Sequence, residues 1–539
     1  MTRAPSSPEV EVLASPAELE AALRDPAAWP VPVQGPVQVV HTHISLVFLA
    51  GEHVFKLKKP LLLPFLDAST LARRRELCEA EVTLNARLAP GVYLGVLPVV
   101  RERGGLRLGG RGPAVEWAVH MRRLPPERSL LAMLERGEVD APLMRRLGAR
   151  IAAFHASARR GPGPGRWATW PAVSSLLREN LDELGGLPEP VAGPALLAGL
   201  ARRTEDELAR QRALIEDRSR RGLAVDGHGD LRLEHVYFAC QERPDEPLVI
   251  DCVEFSDKLR CGDPAVDVAF LVMELERAGR ADLGRELADA AFARDPEAQR
   301  LLPLYVSYRA AVRAKVDGIT AGSPGLPAAQ RVRCRRRGLS EALLALGRLS
   351  PPAARPCLVL LAGLPGTGKS VLARALLEPG GFTWIRSDEV RKQLAGLSAA
   401  SSARGAADQG LYTPEWGART YAACLERAEA VLQDGGRPLV DANFPDEERR
   451  QAFLTAAAAL GVPARLLLLE TSPELARARI AARRGDASDA DPAIYEALRA
   501  RFQPLSPGTL RCADRIDAGG SPQATLQRAT AALRAAGLL

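Results

Sequence analysis

One octapeptide limits the fold of this chain more than any other feature. A short apolar run, 358–362, meets a Gly-rich turn, and an Ala/Leu/Arg helix pattern follows to Leu376. The turn carries Gly363, Leu364, Pro365, Gly366, Thr367, Gly368, Lys369 and Ser370, which fit the spacing G-x-x-x-x-G-K-S. In a strand–turn–helix setting this is a phosphate-cradling loop. Its glycines let backbone N–H groups close around phosphate oxygens, and the helix N-terminus adds partial positive charge. The Lys369 ammonium is expected to reach the outer phosphates of ATP, and the Ser370 hydroxyl to hold Mg²⁺. A chain built around such a loop is a nucleotide-using α/β protein at least in part.

The chain has 539 residues, enough for two to four domains, and 47% of them are apolar. Its 72 basic and 65 acidic residues leave a net charge of +7. That mild excess suits a polyanionic ligand such as ATP and does not require nucleic acid. The eight cysteines are scattered, with no C-x-x-C pair or zinc spacing, which predicts a reducing, cytoplasmic setting. No apolar run approaches the roughly 18 residues of a membrane span, so no membrane association is expected.

Residues 1–36 form an N-terminal extension, with a capping box at 15–18 that opens a helix. Short β-rich segments follow at 37–41, 45–50 and 53–57, then a helical pattern at 69–88 and strands at 92–100, 106–108 and 115–121. This predicts a small antiparallel sheet with one inserted helix, the small lobe (37–123) of a bilobal α+β domain. From 124 to 345 the pattern is mainly helical, forming a large lobe. The proline-rich stretch 346–356 reads as a linker. From 357 to 539 strands and helices alternate, which implies a doubly wound parallel sheet.

In the C-terminal half, Asp388 and Arg391 lie at i, i+3 where the second strand feeds a helix. A carboxylate there can take a proton from an acceptor hydroxyl or hold a metal-bound water. Asp441 ends an apolar strand, a position suited to a second acid that orients Mg²⁺. Arg479 and Arg483 flank a polar loop and can neutralise charge on the triphosphate. The segments GLPGTGKS, SDEVRK at 387–392, YTPEW at 412–416 and VDANFPDEERR at 440–450 together resemble the kinase/ATPase family related to zeta toxins and polynucleotide kinases. The resemblance covers about 357–539. It implies that Asp388 is the base and Arg391 a phosphate or substrate contact, and leaves the acceptor open.

In the N-terminal half, His228-Gly229-Asp230 is followed 21 residues later by Asp251 at the end of an Ile/Val strand. Protein-kinase-type phosphoryl transfer needs such a pair, one Asp at the acceptor hydroxyl and one at Mg²⁺. Lys56 and Glu81 supply a lysine–glutamate pair for positioning phosphates. Strand alternation favours Lys56 over Lys58, and the spacing to Leu84 and Leu88 favours Glu81 over Glu79. Asp267 is placed to brace the catalytic loop, and Met121 lies in the segment expected to contact adenine. His155 reads as a satisfied core histidine.

HGDLRLEHV, LVIDCVEF and GDPAVDVA make this half similar to the aminoglycoside-phosphotransferase-like kinases, over about 37–345. The resemblance expects Asn as a second Mg²⁺ ligand five residues after the catalytic Asp. His235 stands there instead, a softer ligand than Mg²⁺ prefers. It also expects a Gly-rich turn over the phosphates, which 41–49 lacks.

The sequence thus predicts a bifunctional kinase acting on small-molecule hydroxyls, with Asp230, Asp388, Lys369 and Arg391 in catalysis. Two alternatives stand beside it: a P-loop kinase gated by a nucleotide-binding N-terminal domain, and a kinase of 5′-hydroxyl nucleic-acid ends. The near-balanced charge and the lack of an aromatic–basic stripe argue against the last.

Overall fold

The computed structural model describes residues 14–33, 35–63, 66–102, 104–239, 246–398, 413–482 and 492–539. The chain forms two compact units, Met1–Val173 with Arg212–Leu302, and Ser174–Gln211 with Pro303–Leu539.

The first unit contains a six-stranded antiparallel sheet in the order Gln38–His41, Ser45–Ala50, His53–Lys58, Ala114–Arg122, Tyr93–Glu102, Gly105–Leu108. Alternation along His53–Lys58 sorts its side chains. Phe55 and Leu57 enter one apolar cluster with Phe48, Val99 and Leu108. Val54 enters another with Cys78 of the helix Leu71–Asn85. Lys56 and Lys58 share the Val54 face. Thr70 caps that helix, its hydroxyl accepting from Arg73 N at 3.2 Å.

The other face is covered by residues 14–29. Ser15 caps the helix Pro16–Leu23 by accepting from Glu18 N, as the capping box predicts. Leu19, Leu23 and Trp29 pack onto the Phe48–Phe55 face. The Trp29 indole N–H donates to Leu23 O at 2.9 Å, and its ring meets Phe55 edge-on at 4.7 Å. Trp29→Ala is therefore expected to destabilise this unit by about 3 kcal/mol, read as a lower midpoint in urea unfolding. A midpoint equal to that of the parent would show that the segment is merely draped on the sheet.

The second unit is built on a five-stranded, all-parallel sheet: Thr383–Arg386, Pro438–Asp441, Leu358–Ala362, Ala464–Glu470, Ala513–Asp517. Leu358–Ala362 is central and buried at every position, as a strand covered on both faces must be. The predicted doubly wound sheet is therefore present, and the strand expectations fall within a few residues of the observed ones.

The boundaries between the units fall inside the helices Trp170–Gly185, Pro194–Arg220 and Pro296–Ala321. The sequence reading assigns 174–211 and 303–345 to the large lobe and 346–356 to a linker. The structure gathers all of them with the parallel sheet, and its packing gives the reason. Leu196 and Leu346 fill the space above Gly435, and Ser340 lies against Gly461. The Arg437 guanidinium donates to Pro352 O, Arg355 O and Leu538 O at 2.8, 2.9 and 2.6 Å. The proline-rich stretch is thus tied down rather than free. Among the described residues no helix is long and apolar enough to cross a membrane, and the seven described cysteines are free.

Candidate active sites

The turn after Leu358–Ala362 closes tightly. Gly363 has φ 137° and Gly366 has φ 81°. A Cβ on Gly363 would lie 2.5 Å from Leu469 O, and one on Gly366 2.5 Å from Ala476 O. Only glycine fits both the conformation and the approach. Gly368, also left-handed, leads into the helix Lys369–Gly380. The Lys369 Nζ donates to Gly363 O at 2.8 Å and Leu364 O at 3.0 Å. Ser370 Oγ donates to Asp441 Oδ2 at 2.7 Å. Register brings Asp441 beside Leu361 and Arg386 at the carboxyl ends of three parallel strands, where ligands of open α/β sheets bind.

The loop opens onto a cavity of about 680 Å³ whose walls include Lys369, Ser370, Asp388, Asp441, Asn443 and Arg479. Asp388 lies in the first turn of the helix Ser387–Leu394 and accepts from Arg391 Nη1 at 2.8 Å. Burial pushes the Asp441 carboxyl above its ordinary range, against the pull of Lys369 and the Ser370 hydroxyl. Arg479 lines the cavity while donating to Ala518 O at 2.9 Å. Arg483 and Tyr412 lie outside the described residues. Among the described residues no group of three or more His, Cys, Asp and Glu side chains is placed to hold a metal alone. The paired oxygens of Ser370 and Asp441 nevertheless fit Mg²⁺, which takes one or two protein oxygens and completes its shell with phosphates and water.

The N-terminal site lies on the Lys56 face of the antiparallel sheet. Lys56 Nζ donates to Glu81 Oε1 at 2.9 Å and to Asp251 Oδ1 at 2.6 Å. Burial pulls the Lys56 ammonium down, but Asp251 and Glu81 together raise it well above the ordinary lysine value. Burial lifts the Asp251 carboxyl, and Lys56 and His235 outweigh it, holding the group far below the usual carboxylate range. Among the described residues Asp251 is one of two non-glycine positions with positive φ, at 65°. Its N–H donates to the Tyr93 hydroxyl at 3.1 Å.

His235 lies between the two acids. Its Nδ1–H donates to Asp230 O at 2.9 Å, which turns Nε2 toward Asp251 Oδ2 at 3.6 Å. An imidazole nitrogen beside a carboxylate is a donor set softer than Mg²⁺ favours. Asp267 accepts from His228 N and Gly229 N, both at 2.8 Å, and pairs with His155 at 3.0 Å. Met121, Val54 and Leu248 line an apolar cluster on the same face.

His228 is buried as the neutral ring. It donates from Nε2 to Ile250 O at 3.0 Å and accepts from Asp230 N at Nδ1, so a second proton has no acceptor. Burial brings its pKa down to about 4. The unfolded chain binds this proton near pH 6.5. The resulting stability is full above that pH and is lost as pH falls toward about 4, an effect of order 3 kcal/mol. His228→Gln is expected to flatten the stability slope between those pH values in urea titrations. An unchanged slope would place the pH dependence elsewhere.

Several partners were not singled out from sequence. Glu254 joins the Lys56–Glu81 pair together with Lys58, which the sequence reading ranked behind Lys56, and Asn443 and Arg386 line the P-loop cavity. The only signal for Glu254 was its i+3 spacing from Asp251. Asn443 lies inside the DANF segment, beside the more conspicuous Asp441.

The loop, the parallel sheet and the acid at the strand end define a P-loop nucleotide-binding protein, and residues 358–505 match the family model AAA_33, described as "AAA domain". The chain belongs to the family of "Uncharacterized protein Rv2004c" from Mycobacterium tuberculosis (strain ATCC 25618 / H37Rv). The two are 31% identical over 506 residues, 93% of this chain and 96% of that protein. Two solved structures are also similar. The GDP complex of aminoglycoside 2′-phosphotransferase-IIIa is 14% identical, with TM-score 0.39, covering 60% of this chain and 98% of that one. A gluconokinase from Sinorhizobium meliloti 1021 is 16% identical, with TM-score 0.26, covering 34% of this chain and 94% of that one.

Proposed function

We propose that the chain is a bifunctional ATP-dependent phosphotransferase, acting in the cytoplasm on small-molecule hydroxyls at two separate sites. The observation that carries this reading is the convergence of Lys369, the Ser370–Asp441 pair and Asp388 on one cavity. Loop amides and the helix N-terminus bind the phosphates. Lys369 exchanges the carbonyls of Gly363 and Leu364 for phosphate oxygens. Asp388, oriented by Arg391, takes the proton of the attacking hydroxyl as its oxygen bonds to the γ-phosphorus and the bond from that phosphorus to the β,γ-bridging oxygen breaks, so that ADP leaves. Arg479 stands on the cavity wall, where it can stabilise phosphate charge. Mg²⁺, held by Ser370 and Asp441, would neutralise charge on the phosphates.

The N-terminal site supports the same chemistry with different parts. Asp230 is its proton acceptor, Lys56 on Glu81 its phosphate contact, and Asp251 with His235 its metal side. The direct Lys56–Asp251 ion pair favours one second reading, in which this site binds nucleotide and gates the P-loop site without turnover.

The test is ATP turnover by the full chain, Asp388→Asn and Asp230→Asn, with sugars, nucleosides and a 5′-hydroxyl oligonucleotide as acceptors. Two-site catalysis requires each variant to lose a different acceptor-dependent activity. Asp230→Asn without effect would leave the gating reading, and an oligonucleotide as sole acceptor would replace the small-molecule assignment.

A further inference from the structure

The Lys56–Glu81 pair is half of a larger buried assembly. Glu81 lies in the helix Leu71–Asn85 with its side chain 1% exposed. One oxygen, Oε1, takes Lys56. The other, Oε2, lies 2.5 Å from Lys58 Nζ, and Lys58 in turn donates to Glu254 Oε1. Lys58 is as buried as Glu81, and Glu254 nearly so. An ion pair this deep incurs a large desolvation cost, and a sheet of this size does not need one to fold. Phosphate positioning by a lysine–glutamate pair needs only Lys56 and Glu81.

The surroundings say what the second pair does. Lys56 divides its hydrogen bonds between Glu81 and Asp251. For Asp251 to face a metal ion, Lys56 must leave it. Lys56 then remains hinged on Glu81 alone, and the position of Glu81 sets where the ammonium goes. Lys58 and Glu254 hold Glu81 from its other oxygen, untouched by that exchange. The helix is also tied to the Asp251 loop at its C-terminal end. Asn85 donates to Glu81 O at 2.8 Å and accepts from Cys252 N at 2.9 Å. Arg87 donates to Asp226 O and Gly227 O, both at 2.9 Å.

We propose that Lys58 and Glu254 are positioning residues for nucleotide binding in the N-terminal unit, fixing Glu81 so that Lys56 can pass from Asp251 to the ATP phosphates without losing its place. This rests on the reading that the unit binds nucleotide. Neither residue touches the phosphates, and both act through Glu81.

The test uses the full chain carrying Lys369→Ala, which weakens phosphate binding at the P-loop site, and titrates Mg·ATP by calorimetry. In that background Lys58→Met/Glu254→Met removes both charges together and leaves no unpaired carboxylate between them. ATP affinity is expected to fall by on the order of tenfold to a hundredfold, with affinity for adenosine, which has no phosphates, unchanged. Lys58→Arg, which keeps the charge, is expected to restore most of the loss, and Lys58→Met alone carries the test if the double variant does not fold. Equal ATP affinity in the parent and the double variant, or in the parent and a Lys58→Met that folds, overturns the proposal. A loss shared equally by adenosine also overturns it, since the pair would then be structural only. A parent that binds neither ligand overturns instead the nucleotide-binding reading on which the proposal stands.

Discussion

Lys369→Ala is expected to lower ATP turnover at the C-terminal site by about 10²–10³-fold while the thermal midpoint stays where it is. The effect is large because the phosphoryl group in flight carries its charge on oxygens that the ammonium faces, in a cavity where water screens poorly. Stability is spared because Lys369 donates to Gly363 O and Leu364 O, carbonyls beside an open cavity that water can reach after truncation. The measurement is steady-state ATP hydrolysis alongside a melting curve. Turnover within about threefold of the parent would mean that the loop does not perform catalysis.

The second large effect is on folding. Arg450 is fully buried in the helix Glu447–Ala459. It donates to Phe444 O and Gln503 O, each at 2.8 Å, and to Pro504 O at 3.1 Å. It also pairs with Glu447 at 2.7 Å. Phe444 is the other non-glycine residue with positive φ among the described residues, 49°, and it follows the Asp441–Asn443 segment of the cavity wall. Arg450→Ala strips several backbone carbonyls of their donor at once and releases the turn that fixes Asp441. A loss of about 3–5 kcal/mol is expected, with reduced ATP turnover in the fraction that stays folded. Arg450→Lys should recover little, because a single ammonium cannot reproduce the fork. Superimposable urea curves for Arg450→Ala and the parent would contradict this account.

These residues show how far the sequence could be read. The loop at 363–370 announces both a local conformation and a chemistry, since its glycines, lysine and serine answer separate demands of one ligand. The alternation that follows it predicts the parallel sheet directly. In the first unit, period-two patterning gives the strands, and Lys56, Glu81 and Asp251 do meet. The choice between Lys56 and Lys58 was not legible by alternation, because residues two apart share a face, and both lysines reach Glu81. Glu254 was hidden in an irregular loop that has no period to read. Arg450 has the composition of a surface residue, and only the convergence of distant carbonyls buries it. Trp29 meets Phe55 across 26 positions of chain, and an apolar pattern reveals that a face is buried without naming its partner.

The tie between Arg437 and the proline-rich stretch bears on how such a gene could have been assembled. A segment beginning at Cys357 would carry the whole phosphate loop and every strand of its sheet. It would nevertheless leave Arg437 without the carbonyls of Pro352 and Arg355, and would bare the hollow at Gly435 that Leu196 and Leu346 occupy. The P-loop sheet therefore packs on helices that precede the prolines, and a cut there would separate it from side chains that fill its own surface.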